Sequence, residues 1–127
     1  MFDSAMMRIE FRDDFKGDDV LILMGAVQDV RALSAGLLAW SICPSEVLLS
    51  SILPACDGVE ITLQRHGSPH ARMASDSLPG VLWRIGKDAA RQLADLIGQL
   101  SRHPRPAHLY LDFEGYTRTI IISMDEY

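Results

Sequence analysis

The stretch V81-LWRIGKDAARQLADLIGQLSRHPRPAHLYLDFEGYTRTIIISMDE-Y127 decides the fold. It reads as strand, helix, strand, turn, strand. Val81, Trp83 and Ile85 point one way and Arg84 the other, the period of two that marks a half-buried strand. Gly86 breaks that strand. From Lys87 to Arg102 the period changes to three and four. Ala89, Leu93, Leu96, Ile97 and Leu100 form an inward stripe, and Arg91, Gln92, Asp95 and Gln99 face water. His103–Pro106 stops the helix. A two-residue turn at Glu114-Gly115 would then close a hairpin. Leu109, Leu111 and Phe113 share its oily face with Tyr116, Ile120 and Ile122. His108, Tyr110, Asp112, Thr117 and Thr119 form its polar face. A slip of one residue would send every apolar group to water, so the alternation itself sets which face is which.

Working towards the N-terminus, Val59, Ile61 and Leu63 alternate with Glu60, Thr62, Gln64 and His66, another strand. Between this strand and Val81, residues 67–80 (GSPHARMASDSLPG) read as a long turn-rich connection, of the kind that carries function or moves. Ser45–Pro54 fits a short helix capped by Ser45, with Val47, Leu48 and Ile52 inward, or a strand; the helix is the preferred reading. Val27, Val30, Leu33, Leu37 and Trp40 mark a first amphipathic helix over 26–42, ended by Pro44. Val20–Met24 (VLILM) reads as a central strand, and Met7, Ile9 and Phe11 as its hairpin partner across the turn 13–19. Residues 1–6 carry no pattern and are expected to fray.

The elements repeat in order. Strand, strand and helix occur near 7–42 and again near 59–102, with no evident residue-level repeat. The expected architecture is one α+β domain spanning 1–127. A mostly antiparallel sheet of about six strands carries two amphipathic helices on one face, leaving a polar face to solvent. If the strands share one sheet, that face gathers Glu60, Thr62, Gln64, His66, Arg84, His108, Tyr110, Asp112, Thr117 and Thr119.

Composition bounds the function. The 127 residues include 12 Lys and Arg against 17 Asp and Glu, a net charge of −5. That balance repels phosphate backbones and argues against nucleic acid as a general partner. Hydrophobic residues make up 48%, enough for a core without disulfide or metal staples. The apolar stretches fall short of the ~20 residues that cross a bilayer, and no basic n-region with an apolar h-region opens the chain. With two cysteines, Cys43 and Cys56, the expected compartment is the cytoplasm, with both thiols reduced.

Chemistry-bearing motifs are weak. His66 and His70 form an HxxxH with Cys56 and Asp76 nearby, but the spacing crosses a strand end into a Gly-Pro loop, where zinc's tetrahedral demand is hard to meet. Asp13, Asp14, Asp18 and Asp19 lack the alternation of a calcium loop and read as a solvated turn. No GxSxG, P-loop, GxGxxG or HExxH occurs. The expectation is a non-enzymatic domain with no cofactor, no metal and no catalytic residues. Partner contacts are expected at Tyr110, His108, Asp112, Thr117, Thr119 and Arg84, with Tyr110 as the anchor.

The Trp83-Arg-Ile run, the Ala- and Leu-rich helix, HLYLDFEG and the closing IIISMDEY resemble the small acidic immunity proteins of bacterial toxin–immunity systems. The resemblance covers the last third to half of the chain. It implies a single-domain, non-enzymatic protein that binds and blocks a cognate toxin through the polar positions around Tyr110; the acidic charge favours a basic partner. Two other readings stand beside it. One is a small-molecule-binding or small enzymatic domain with a pocket between the 67–80 loop and the sheet. The other is a homo-oligomeric structural domain, such as a homodimer.

Overall fold

The computed structural model describes residues 6–15 and 17–125. The fraying expected at 1–6 falls outside these residues except for Met6, as do Lys16 and the acidic Glu126. The order of elements is β1 (Met7–Phe15), β2 (Asp18–Gly25), α1 (Val27–Ile42), β3 (Val47–Leu48), a 3-10 turn (Leu49–Ser51), β4 (Cys56–Gly58), β5 (Ile61–Arg65), β6 (Arg72–Ser77), β7 (Gly80–Ile85), α2 (Lys87–Leu100), β8 (Ala107–Leu111) and β9 (Thr119–Met124).

The α+β class holds, and the single sheet gives way to two. One has the order β4-β1-β2-β9-β8, the other β3-β5-β7-β6. Both are mixed, because β2 pairs with β9, β1 with β4 and β5 with β7 in parallel. The nine strands among the described residues exceed the six expected for two reasons. The short β3 and β4 carry no legible period, and β6 lies inside the segment read as a loop.

The two sheets have the same plan. In each, an antiparallel hairpin (β1-β2 or β6-β7) leads into a helix, and the strand beside the hairpin (β9 or β5) runs parallel to its second member. A fourth strand (β8 or β3) is antiparallel to that one. Each half of the chain thus gives its first hairpin to one sheet and its last two strands to the other. The helices match at a fixed offset. Buried Val30, Leu33, Leu37 and Trp40 of α1 correspond to Ala90, Leu93, Ile97 and Leu100 of α2, each sixty residues further along. The repeated order seen in the sequence is therefore an exchanged pair of ββαββ halves, with β4 added at one edge.

One core joins both sheets and both helices. It includes Met7, Ile9, Leu21 and Leu23 from the first hairpin, and Ile120, Ile122 and Met124 from β9. Ile61 and Leu63 come from β5, Val81, Trp83 and Ile85 from β7, and the helix stripes complete it. At roughly 1.5–3 kcal/mol for each fully buried aliphatic side chain, this cluster is the main stabilising term. Trp83 stacks on Phe113 with ring centroids 4.8 Å apart. Its indole N–H finds no partner among the described residues, a local cost of about 1–3 kcal/mol that the surrounding packing offsets. α1 runs over β2 and β9, α2 over β8, and the helices pack on each other, where Ser34 Oγ donates to the Ala94 carbonyl at 2.6 Å.

Several local expectations change for identifiable reasons. Leu96 is half-buried rather than core, bordering a small depression with Leu109 and His103. Segment 45–54 is a two-residue strand and a 3-10 turn, with Leu49 buried and Leu48 exposed. Gly36 lets this segment approach α1, since a Cβ there would lie 2.7 Å from the Ile52 carbonyl oxygen. The 67–80 segment is structural. Its first part caps α2, where no side-chain cap exists: the Pro69 carbonyl accepts from the backbone N–H groups of Asp88 and Ala89, both at 2.9 Å. Gly86 is required there, because a Cβ would strike the Ser68 and Pro69 carbonyls. The rest of the segment is β6 and the turn to β7.

The closing hairpin is wider than a two-residue turn. Leu111 pairs with Ile120 and Leu109 with Ile122, so residues 112–118 form the connection. Relative to the tight-turn reading the register moves by two residues, which keeps every strand side chain on its expected face. The reason lies in the other sheet. Glu114 donates its N–H to the Arg72 carbonyl at 2.8 Å and accepts from the Ala74 N–H at 3.2 Å, which ties the connection to β6.

Candidate functional site

Because there are two sheets, the expected polar face divides. His108 and Tyr110 on β8 and Thr119 on β9 lie together on the outer face of the five-stranded sheet, away from the shared core. Arg84 lies in the other sheet, exposed on β7 and paired in register with Gln64 and Met73. Thr62 and Gln64 accompany it there, and Gln64 donates to Glu46 at 2.7 Å. Arg84 is therefore separated from the Tyr110 group by the division of the sheets, and the single ten-residue face does not form. Asp112 is exposed one residue beyond β8, and Thr117 is exposed within the 112–118 connection. Both border the Tyr110 face without belonging to its ladder.

The outer face of the five-stranded sheet is also less polar than expected. Its centre is a second apolar cluster of Val20, Ile22, Met24 and Ile121, with Phe15 packed against it. The signal was present in the sequence. VLILM and the 120–122 run III have no polar alternation, so both faces of β2 and β9 had to carry apolar groups. Long charged side chains screen this cluster on the β1 side. Arg8 and Arg12 both pair with Glu10, at 2.9 and 3.1 Å. The Arg8 hydrogen bond, helped by Arg12, holds the Glu10 carboxyl below its ordinary range. Arg12 also lies over the Phe15 ring, 5.7 Å from its centroid, and donates to Met24 Sδ at 3.4 Å.

The β8 side is where the face opens. Tyr110 is 59% exposed, the most exposed large hydrophobic side chain among the described residues of this face. The His108 ring meets it edge-on, with centroids 5.2 Å apart at 84°. This contact follows from their i, i+2 spacing on one strand, which puts both rings on the same side of the pleat. Beside Tyr110 is a depression of about 90 Å³ lined by Phe15, Asp18, Val20, Tyr110, Thr119 and Ile121. Tyr110 is held opposite Ile121 by the β8-β9 register.

The residues of the HxxxH region are engaged in separate local contacts. His66 Nδ1 accepts from the Ser68 N–H at 2.9 Å, His70 Nε2 lies 3.8 Å from Asp88, and Asp76 receives the Tyr116 hydroxyl at 3.0 Å. Among the described residues no group of three His, Cys, Asp or Glu converges on a common point. Cys43 is exposed and Cys56 is half-buried. Burial, with the charges of Glu60 and Asp57, pushes the Cys56 thiol above its ordinary value, the opposite of an activated nucleophile.

A cleft of about 470 Å³ lies between the two helices, lined by Ser34, Leu38, Arg91, Asp95, Gly98 and Arg102 among others. None of its lining residues belongs to the 67–80 segment, where a pocket was expected under the small-molecule reading. No helix among the described residues is long and apolar enough to cross a membrane. No family model matches the chain, and no significant match was found among curated proteins or solved structures.

Proposed function

We propose that this chain is a non-enzymatic protein-binding domain that docks a partner on the outer face of its five-stranded sheet, with Tyr110 as anchor. One observation carries the reading. Tyr110 stands 59% exposed at the border of an apolar sheet face, next to a depression floored by Val20 and Ile121. A large ring that loses only two rotatable torsions can bury wide area on a partner, and its hydroxyl can then find a hydrogen bond. The surrounding His108, Thr119, Thr117 and Asp112 supply the polar rim that such anchors need to exclude water.

The partner class we propose is a basic protein. The chain's net charge of −5 would steer it. In biological terms the reading is that of a small acidic bacterial immunity protein acting in the cytoplasm on a cognate toxin, which the C-terminal pattern resembles. The test is capture of the partner from the native host, followed by calorimetric titration of wild type and Tyr110→Ala. A loss of about 2 kcal/mol or more of binding energy is expected for the variant. Wild-type affinity in a folded Tyr110→Ala protein would place the interface elsewhere.

A further inference from the structure

The depression beside Tyr110 combines three kinds of wall. Val20 and Ile121 are apolar and buried, and Thr119 is half-buried at the strand end. Tyr110 and Phe15 present aromatic surface. Asp18, at the start of β2, presents a carboxylate; it is exposed and makes no hydrogen bond or ion pair among the described residues. The carboxylates near it differ. Asp13 is paired with Arg118 at 2.9 Å, and Asp19 accepts the Asp14 N–H at 2.9 Å. Among the described residues, the nearby cations Arg118 and Arg12 are likewise engaged, Arg118 by Asp13 and by the Val20 carbonyl at 3.2 Å, and Arg12 by Glu10. The protein already shows a guanidinium lying over an aromatic ring of this depression, Arg12 over Phe15, and another on the inner side of β1, Arg118 over Phe11 at 4.6 Å.

An apolar floor, an aromatic wall and an exposed carboxylate at the rim match one side-chain chemistry. Lysine and arginine have a carbon stem that packs on aliphatic surface and a cationic head that seeks a carboxylate or a ring face. We infer that this depression receives a lysine or arginine side chain of the partner. Its stem lies on Val20 and Ile121, and its head sits between the Asp18 carboxylate and the Tyr110 ring. The inference rests on the docking reading above and specifies what the anchor recognises. Asp18, rather than Asp112, is the carboxylate that reads the charge.

The test uses a displayed random-peptide library panned on the wild-type protein, with binders to Tyr110→Ala removed. The peptides that remain are expected to share a Lys or Arg. Their affinity should fall at least tenfold when that residue is replaced by norleucine, and at least tenfold against Asp18→Asn. Affinity against Asp95→Asn, on the helix side, should stay unchanged. Tyr110-dependent peptides without a basic residue, or with full affinity for Asp18→Asn, would overturn this inference and leave the docking face standing. Equal losses with Asp18→Asn and Asp95→Asn would reduce the effect to overall charge and also overturn it. A selection that yields no Tyr110-dependent peptide would count against the docking face itself.

Discussion

On β2 the outward side chains are Val20, Ile22 and Met24, all buried; on β7, which holds the matching place in the other sheet, they are Leu82, half-buried, and Arg84, exposed. The inward sides of the same two strands agree: Leu21 and Leu23 correspond to Val81 and Trp83, sixty residues on, and all four are buried. Strand plan and inner packing are shared, so neither can account for the difference outside. An open sheet face with its back to a core is usually polar, as that of the four-stranded sheet is with Thr62, Gln64 and Arg84. The five-stranded sheet instead puts apolar residues on both sides of its central strands and surrounds the outer ones with paired charges and exposed rings. That departure, on a plan that does not require it, is what directs attention to the Tyr110 face.

The largest effects should fall where the two halves agree. Leu33→Ala and Leu93→Ala remove matching, fully buried side chains from the two helices, and each should cost about 2–5 kcal/mol in a denaturant melt. If one costs less than about 1 kcal/mol, the halves are not equivalent in the core. A medium effect tests where they differ. Ile22→Ala opens a hole in a fully buried site and should cost about 2 kcal/mol or more, whereas Leu82→Ala, at the matching but half-exposed place, should cost about 1 kcal/mol. Equal losses would show that the outer apolar cluster is no better packed than the polar face.

A smaller effect concerns the connection that joins the sheets. The Tyr116 hydroxyl donates to Asp76 on β6, and burial, then the charge and hydrogen bond of Asp76, push its ionisation well above the ordinary tyrosine value. A raised folded-state value means that the fold favours the neutral phenol. The stabilisation is fully present below about pH 10, the unfolded value, and is lost as pH rises towards the folded one. Tyr116→Phe should therefore cost about 1 kcal/mol at neutral pH and flatten the alkaline decline expected of wild type. An unchanged alkaline limb in urea melts between pH 8 and about pH 11 would remove Tyr116 as its source. The smallest stability effect should be at Tyr110, where replacement by Ala is expected to shift the melt by less than about 0.5 kcal/mol, because the ring is mostly in solvent. A large loss would make Tyr110 a packing residue and weaken its standing as an anchor.

How much of this could be read from the chain follows from where each signal lies. The two helices were legible because Val30, Leu33, Leu37 and Leu93, Ile97, Leu100 repeat the helical period over whole turns. β6 was not, because Ala74 is the sole buried residue of a mostly polar edge strand and no period of two is legible in it. The division into two sheets depends on β2 meeting β9 and β5 meeting β7, pairings between distant segments that no local pattern encodes. The same holds for the closing connection, whose width is set by Glu114 bonding to β6 rather than by the Glu114-Gly115 dipeptide. Within the site, the alternation correctly put His108, Tyr110 and Thr119 on one face. Arg84 falls in the other sheet, because period fixes a residue's side of a strand, not the sheet to which the strand belongs. The apolar stripe beneath the site is carried by VLILM and III, whose unbroken apolar runs place apolar groups on both faces of β2 and β9.

The docking claim is tested most directly by photo-crosslinking in the native host. A benzophenone amino acid replaces Tyr110 in one strain and Leu38, 48% exposed at the cleft between the helices, in another. Illumination should give a discrete protein adduct from position 110 and none from position 38. An adduct from position 38 with none from position 110 would contradict the account and move the interface to the helices.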